Sequence, residues 1–244
     1  MKGRIGNGQL STTSFSVPAN AIGFWIDRLK EHNVEFKGPQ PRFDEEALAF
    51  RDTDGLQIEL VASGIDTHPA WKGGPVPAQY AIRGFYHVSL SVESYERTAG
   101  LLTETLEFRP SVESGSRFRY VAADGKPGQI VDIVCRPEER PGMVGVGAVH
   151  HVAWRTPTEE TQLEMRNTLE SLGYQVTPVL DRNYFKSIYF REPGKVLFEI
   201  ATDPPGFAVN EEPEKLGKGL QLPAWLESRR DEIEQVLPQI ASSA

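Results

Sequence analysis

A chain of 244 residues with 39% hydrophobic and 25% charged residues has the composition of a soluble globular protein with ample length for a core. Its net charge of −8 excludes nucleic acid as the main partner, because the sequence offers no concentrated basic face. No apolar run approaches the roughly 20 residues of a membrane span, and no signal-peptide pattern opens the chain. The single cysteine, Cys135, excludes an internal disulfide and fits a reducing cytoplasm, the expected location.

The first predicted elements lie in residues 1–62, which we interpret as one module. The strand-like run "TSFSVP" leads into "ANAIGFWIDRLKEHNV", whose apolar residues have the spacing of an amphipathic helix. These residues are Ile22, Trp25, Ile26 and Leu29. Two further strands, "ALAFRD" and "LQIELVA", flank a turn at "TDG". Residues 63–80 are rich in proline and glycine and predict a linker.

Two more modules are expected at residues 81–137 and 146–203, because the same pattern recurs there. The run "HVSLSV" aligns with "HVAWRT" at an offset of 64 residues, and a helical pattern follows each run. The apolar positions of these two helices are Tyr95, Ala99, Leu102 and Leu106, and then Leu163, Leu169 and Leu172. Strand-like runs follow as "RFRYVAA" and "QIVDIVC", and as "KSIYFRE" and "VLFEIAT". Residues 204–244 form a tail with a helix predicted through "AWLESRRDEIEQVL".

The aligned modules carry polar residues at two equivalent positions, one in the first strand and one in the last. The first-strand residues are Thr12, His87 and His151, and the last-strand residues are Glu59, Asp132 and Glu199. A carboxylate inside an apolar strand is costly unless it is paired or bound to a cation. Only the last module combines a histidine with a glutamate, so we interpret His151 and Glu199 as metal-directed. The other two carboxylates are interpreted as degenerate sites or as ion-paired strand residues.

Two adjacent histidines, His150 and His151, open the first strand of the last module in "GAVHHVAW". Side chains alternate between the two faces of a strand, so only one of the two should face the metal side. The repeat alignment assigns that side to His151. We therefore expect His150 to be turned away from the metal-facing side.

Longer stretches of sequence resemble a known family. The segments "VHHVAW", "DRNYFKSIYFREPGKVLFEIATDPPGF" and "KGRIGNGQL" are similar to the vicinal oxygen chelate superfamily, which includes glyoxalases, bleomycin-resistance proteins and extradiol dioxygenases. Within it, they look most like the ring-cleaving dioxygenases that act on hydroquinones. The resemblance covers essentially the whole chain. It implies an α+β fold in which βαβββ modules, three in this chain, form curved, barrel-like mixed sheets.

The resemblance also implies a site and a reaction. Fe(II) is the expected metal, with Mn(II) or Zn(II) as alternatives, and imidazole and carboxylate ligands suit such ions. His151 and Glu199 resemble two of the ligands. Tyr189 matches an active-site tyrosine, Arg182 a substrate-contacting arginine, and His150 a pocket residue that carries protons. The expected activity is the opening of a small hydroquinone-like aromatic diol by O2, in the catabolism of aromatic compounds.

The chain departs from the family pattern in two ways. Catechol-type members carry an acid/base histidine upstream of the ligand histidine, and "CRPEERPGMVGVGA" has none, which favours the hydroquinone branch. Full members of that branch have four modules, and the first, which supplies the remaining histidine ligand, has no counterpart in this sequence. Catechol-type members take that ligand from the module that here contains His87, so His87 is the candidate third ligand. We expect a second chain, in a homodimer or higher oligomer, or the tail to cover the unpaired module.

Two other functions fit parts of the same pattern. A glyoxalase-like isomerase would use Zn(II) or Ni(II), with Glu199 as both ligand and base. A binding protein of the same superfamily would hold no metal at all, since an incomplete set of ligands would leave the protein without catalytic activity.

Overall fold

The protein is described by a computed structural model covering residues 1–238. Its elements follow the order strand, helix, three strands, which occurs three times. The first unit contains β1 (Gln9–Val17), α1 (Ile22–Glu31), β2 (Phe36–Arg42), β3 (Glu45–Arg51) and β4 (Gln57–Ala62). The second contains β5 (Gly84–Val92), α2 (Glu96–Glu104), β6 (Arg109–Ser114), β7 (Arg117–Val121) and β8 (Ile130–Cys135). The third contains β9 (Val152–Thr156), α3 (Glu159–Ser171), β10 (Leu180–Asp181), β11 (Lys186–Arg191) and β12 (Leu197–Thr202), and α4 (Arg230–Val236) follows.

The first two units share one sheet of eight strands, in the order β2-β3-β4-β1-β5-β8-β7-β6. Their first strands, β1 and β5, lie antiparallel in the middle of this sheet, with Ser14 opposite His87. Within each unit the first strand also pairs in parallel with the last strand of that unit. The first-strand and last-strand positions of both units are therefore neighbours in the centre of one sheet.

The third unit forms its own sheet of four strands, in the order β10-β11-β12-β9. Here too the first strand pairs in parallel with the last strand, so that Ala153 lies opposite Glu199. The β9 strand is an edge strand: within residues 1–238 it pairs with β12 alone. This edge is the main difference between the third unit and the first two.

The largest apolar core lies between the second and third units. Leu90, Leu102 and Ile133 from the second unit share this cluster with Phe198 and Ile200 from β12. Because side chains alternate along a strand, Glu199 between the last two points to the opposite face of the four-stranded sheet. The core thus orients β12 so that its carboxylate faces away from the apolar cluster.

The predicted fold class, an α+β chain of βαβββ modules with curved mixed sheets, is confirmed. The expected burial of α3 is wrong in part: Leu169 is buried, but Leu163 and Leu172 are 46% and 57% exposed. Gln162 is buried instead, because its side-chain amide donates hydrogen bonds to the carbonyl oxygens of Lys186 and Ile200. None of the helices in residues 1–238 is both long and apolar enough to cross a membrane.

Candidate metal centre

The two adjacent histidines lie just before β9, which begins at Val152. They precede the regular strand, so the alternation of side chains does not separate them. The ring of His150 lies against that of His151, with 2.9 Å between their Nδ1 atoms. The expectation that His150 is turned away is therefore wrong: it is an exposed residue in direct contact with its neighbour.

His151 and Glu199 form the centre of the candidate site. The Nε2 atom of His151 is 2.7 Å from Oε2 of Glu199, although the two residues are far apart in the sequence. The parallel pairing of β9 with β12 explains this contact, because it places the start of β9 beside Glu199. The carboxylate is almost fully buried (3% exposed), whereas the imidazole is 33% exposed and open to solvent on one side.

Tyr189 and Arg182 extend the site along the same face. Tyr189 in β11 lies opposite Glu199 in the strand register, and its ring packs edge-on against His151 with 5.6 Å between ring centroids. The guanidinium of Arg182 lies 5.5 Å from the centroid of the Tyr189 ring, a cation–π distance. Tyr189 is therefore a neighbour of the His151–Glu199 pair, and Arg182 is a neighbour of Tyr189.

The pair fits a divalent metal ion in its chemistry. Imidazole nitrogen and carboxylate oxygen are ligands of Fe(II), Mn(II) and Zn(II). The Oε1 atom of Glu199 is buried and has no hydrogen-bond partner within residues 1–238, which leaves a desolvated acceptor that a cation would satisfy. No group of three or more histidine, cysteine, aspartate or glutamate side chains within residues 1–238 is placed to hold a metal. Within residues 1–238, His151 and Glu199 are therefore the two side chains at this centre that could bind a metal.

His87 lies in the other sheet and does not join this pair. It is 1% exposed in the middle of β5, and its Nε2 atom is 3.7 Å from Oδ2 of Asp132 and 4.0 Å from Oε2 of Glu59. Both of its ring nitrogens are buried, and neither has a hydrogen-bond partner in the described part of the chain. The structure thus places His87 with the last-strand carboxylates of the first two units and apart from Glu199.

Three arginines, which the sequence analysis did not single out, neutralise these carboxylates. Arg42 makes a bidentate contact with Glu59, and Arg119 makes one with Asp132 at 2.7 and 3.1 Å. Arg117 donates to Asp132 as well, at 2.8 Å. Burial by itself raises the pKa of a carboxyl, yet these guanidinium groups hold the pKa values of Glu59 and Asp132 below their usual range. The interpretation of both carboxylates as ion-paired strand residues agrees with these contacts.

The buried network of these arginines and carboxylates also joins the first two units to each other. Arg119 of the second unit donates to Glu45 of the first unit at 2.5 Å, and Tyr86 donates its hydroxyl proton to the same carboxylate. The strand alternation in "RFRYV" is the sequence signal for Arg117 and Arg119, since it puts both on the face of their neighbour Asp132. Nothing local in the sequence predicts the contact between Arg42 and Glu59.

Burial of His87 makes the stability of the protein depend on pH. Burial disfavours the imidazolium and lowers the pKa of His87 to about 4, although Asp132 and Glu59 oppose this shift and the adjacent Arg119 and Arg42 add to it. Between pH 6.5 and 4 the unfolded chain therefore binds a proton that the folded chain does not. We expect His87 to lower the free energy of unfolding by on the order of 2 kcal/mol between pH 7 and pH 5.

Urea titrations at pH 7 and pH 5 measure this difference. The loss of stability should be smaller in His87→Gln than in the wild-type chain, because glutamine does not titrate. His32→Gln, which changes an exposed histidine at the end of α1, is the control. It should lose as much free energy of unfolding between pH 7 and pH 5 as the wild-type chain does. Equal losses in all three proteins would contradict the assignment of this pH dependence to His87.

Three βαβββ units, with His151 and Glu199 in contact between the first and last strands of the third, define the class of fold to which this chain belongs. The sequence signature of the Glyoxalase/Bleomycin resistance protein/Dioxygenase superfamily matches residues 84–209. The chain is 43% identical over 236 residues to the "Putative ring-cleaving dioxygenase MhqO" of Bacillus subtilis strain 168, covering 97% of this chain and 75% of that protein. The chain belongs to this superfamily.

Further relatives and solved structures agree with this family. The "Chlorohydroquinone/hydroquinone 1,2-dioxygenase" of Sphingobium indicum is 31% identical, over 95% of this chain and 73% of its own length. A crystal structure of a "putative dioxygenase" from Bacillus subtilis, 42% identical, superposes with a TM-score of 0.91 over 99% of this chain and 77% of that one. Maize glyoxalase I, at 17% identity and a TM-score of 0.58 over 83% of this chain and 70% of that one, shares the fold.

Proposed function

We propose that this protein is an Fe(II)-dependent ring-cleaving dioxygenase that opens a hydroquinone-like aromatic diol with O2. The observation that carries the proposal is the contact of His151 with Glu199 beside Tyr189 and Arg182 on one face of the four-stranded sheet. The names of the relatives support the reaction type, since they include a hydroquinone 1,2-dioxygenase.

In this proposal His151 and Glu199 hold the metal. A bound Fe(II) ion would supply open positions at which an ionised diol oxygen and O2 meet. Burial of Glu199 keeps its carboxylate poorly solvated and thus strengthens its attraction for a cation. The partly exposed side chain of His151 leaves the outer side of the pair accessible to a small aromatic molecule.

Arg182 and Tyr189 would bind the substrate. The guanidinium over the Tyr189 ring is placed to attract the negative charge of an ionised diol. The ring of Tyr189 packs against the imidazole of His151, so a substrate bound at the pair would lie close to Tyr189. The hydroxyl of Tyr189 would then donate a hydrogen bond to a substrate oxygen. Together these two residues would orient an aromatic ring beside the metal pair.

His150 would carry protons between the site and solvent. It is exposed, and its Nδ1 atom shares a hydrogen bond with Nδ1 of His151, so it contacts both bulk water and a proposed ligand. A histidine that hydrogen-bonds to a ligand imidazole also fixes the orientation of that ring.

The His150→Ala variant tests this role. We expect it to retain bound iron but to turn over about 10- to 100-fold more slowly, the usual cost of removing an outer partner of a metal ligand. Iron content and the rate of O2 consumption are measured on the same preparation. A loss of iron affinity as large as that expected for His151→Ala, more than about 100-fold, would instead make His150 a ligand.

Metal analysis of anaerobically purified protein separates the proposed function from two other functions of the same scaffold. Iron together with O2 consumption on addition of hydroquinone supports the dioxygenase. Zinc or nickel without O2 consumption would indicate a glyoxalase-like isomerase, and absence of any bound metal would indicate a binding protein. Catechol is the comparison substrate and should be consumed more slowly than hydroquinone.

A further inference from the structure

The backbone of Tyr189 is held by one residue that lies outside β11. The N–H group of Tyr189 donates to the side-chain oxygen Oγ1 of Thr177 at 3.0 Å. The carbonyl of Tyr189 accepts a hydrogen bond from the backbone N–H of Thr177, also at 3.0 Å. Thr177 lies in the segment between α3 and β10, which forms no regular helix or strand. Both backbone polar groups of a residue beside the candidate metal pair therefore bond to one threonine.

The pairing of β11 with β12 shows why these two bonds matter. Tyr189 lies opposite Glu199 in this antiparallel pair. Along such a pair, residues whose backbone groups bond across it alternate with residues whose backbone groups point away from it. Because the N–H and C=O groups of Tyr189 point to Thr177, Tyr189 and Glu199 form a pair of the second kind, in which side chains lie close together. Thr177, and not β12, thus holds the backbone of Tyr189.

The side chain of Thr177 takes the place of a backbone carbonyl in this contact. Two strand residues that exchange hydrogen bonds normally use the N–H and the C=O group of both residues. The carbonyl of Thr177 is instead turned towards α3, where it accepts a hydrogen bond from Nε of Arg166 at 3.0 Å. Arg166 is itself held by Glu170, at 2.7 and 3.1 Å. A side chain without a hydroxyl at position 177 would therefore deprive the N–H group of Tyr189 of its acceptor.

We propose that Thr177 is a positioning residue for Tyr189 and thereby for the aromatic substrate. The inference rests on the proposed function, in which the hydroxyl of Tyr189 donates a hydrogen bond to a substrate oxygen. The ring of Tyr189 packs edge-on against His151, so a shift of the Tyr189 backbone would move the hydroxyl relative to the metal pair. A misplacement of about 1 Å can slow an enzymatic reaction by about 100-fold. Thr177 would act through Tyr189 and not on the metal.

Steady-state kinetics of Thr177→Val and Thr177→Ser on iron-loaded protein test this role. Valine has the shape of threonine but cannot accept a hydrogen bond, so we expect Thr177→Val to lower kcat/KM for hydroquinone by about 10- to 100-fold at unchanged iron content. Serine keeps the hydroxyl and should restore most of the wild-type kcat/KM. Thr168→Val is the matched control, since the hydroxyl of Thr168 donates within α3 to the carbonyl of Glu164. This control should have the wild-type kcat/KM.

A double-mutant cycle separates the positioning of Tyr189 from a general effect on the fold. Tyr189→Phe removes the hydroxyl that Thr177 is proposed to place. If Thr177 acts through Tyr189, Thr177→Val should cost little further activity in the Tyr189→Phe background, because coupled substitutions are not additive. Losses that multiply in the double variant would overturn the inference. A wild-type kcat/KM in Thr177→Val would also overturn it.

Hydrogen exchange of the Tyr189 amide, followed by NMR, gives a readout that needs no turnover. The amide should exchange faster in Thr177→Val, and in Thr177→Ala as a second variant, than in the wild-type chain. The amides of Ile188 and Phe190, which pair with β12, should keep their wild-type rates. Equal exchange of the Tyr189 amide in all three proteins would overturn the inference. A wild-type chain that binds iron but cleaves no ring would overturn the proposed function, and faster exchange in the variants would then still support the positioning of Tyr189 by Thr177.

Discussion

Replacing Arg119 by methionine is expected to lower the free energy of unfolding by about 3–5 kcal/mol at pH 7. The Arg119 side chain is 5% exposed, and its guanidinium contacts Asp132 through two nitrogens and Glu45 through a third. Methionine fills much of the same volume but leaves two carboxylates with fewer cationic partners in a buried place. The large loss therefore reflects the uncompensated charges and not a cavity.

Urea denaturation of Arg119→Met and of a matched control measures this effect. The control is Arg155→Met, which breaks the ion pair with Asp203 at the protein surface, where the side chains are 84% and 42% exposed. Exposed pairs contribute about 0–1 kcal/mol, so the control should be nearly as stable as the wild-type chain. Comparable losses in the two variants would mean that the buried network does not stabilise the eight-stranded sheet.

Replacing either residue of the metal pair should remove the metal. We expect His151→Ala and Glu199→Gln each to lower the affinity for Fe(II) by more than about 100-fold, beyond the 10- to 100-fold cost of losing an outer partner. Each variant removes one of the two proposed ligands, and O2 consumption with hydroquinone should fall with the bound iron. Iron content after anaerobic loading and desalting is the measurement.

Glu192→Gln is the matched control for Glu199→Gln. Glu192 is also a nearly fully buried glutamate of the third unit, but it accepts hydrogen bonds from Thr98 and from the backbone of Gly194 and Val196. It lies away from His151 in the turn between β11 and β12. Its variant should bind iron as the wild-type chain does. Stoichiometric iron in the double variant His151→Ala/Glu199→Gln would contradict the assignment of these two residues as metal ligands.

Local patterns in the sequence predict the elements of this fold well. The helical spacing of Ile22, Trp25 and Leu29 corresponds to α1, where all three side chains are buried. The runs "QIVDIVC" and "VLFEIAT" correspond to β8 and β12. The predicted burial of Leu163 and Leu172 is wrong because α3 has few apolar residues. A polar side chain, Gln162, takes a buried position there and donates hydrogen bonds to two strands.

Long-range pairing is what the sequence leaves undetermined. The repeat shows that Thr12, His87 and His151 are equivalent, but not which units share a sheet. The structure pairs the first two units, so His87 meets Asp132 and Glu59 and not Glu199. The contact of Arg42 with Glu59 depends on the pairing of β2 with β3 and of β3 with β4, which no local pattern encodes. The roles of His151, Glu199, Tyr189, Arg182 and His150 in binding and catalysis stay predictions.

Product analysis with hydroquinone tests the central claim of ring cleavage at the His151–Glu199 pair most directly. The iron-loaded chain should consume one O2 per hydroquinone and give a ring-opened product that contains both atoms of the O2 consumed. The Glu199→Gln variant should form no ring-opened product above background. Formation of benzoquinone and hydrogen peroxide without a ring-opened product, or an equal yield of ring-opened product from Glu199→Gln, would contradict it.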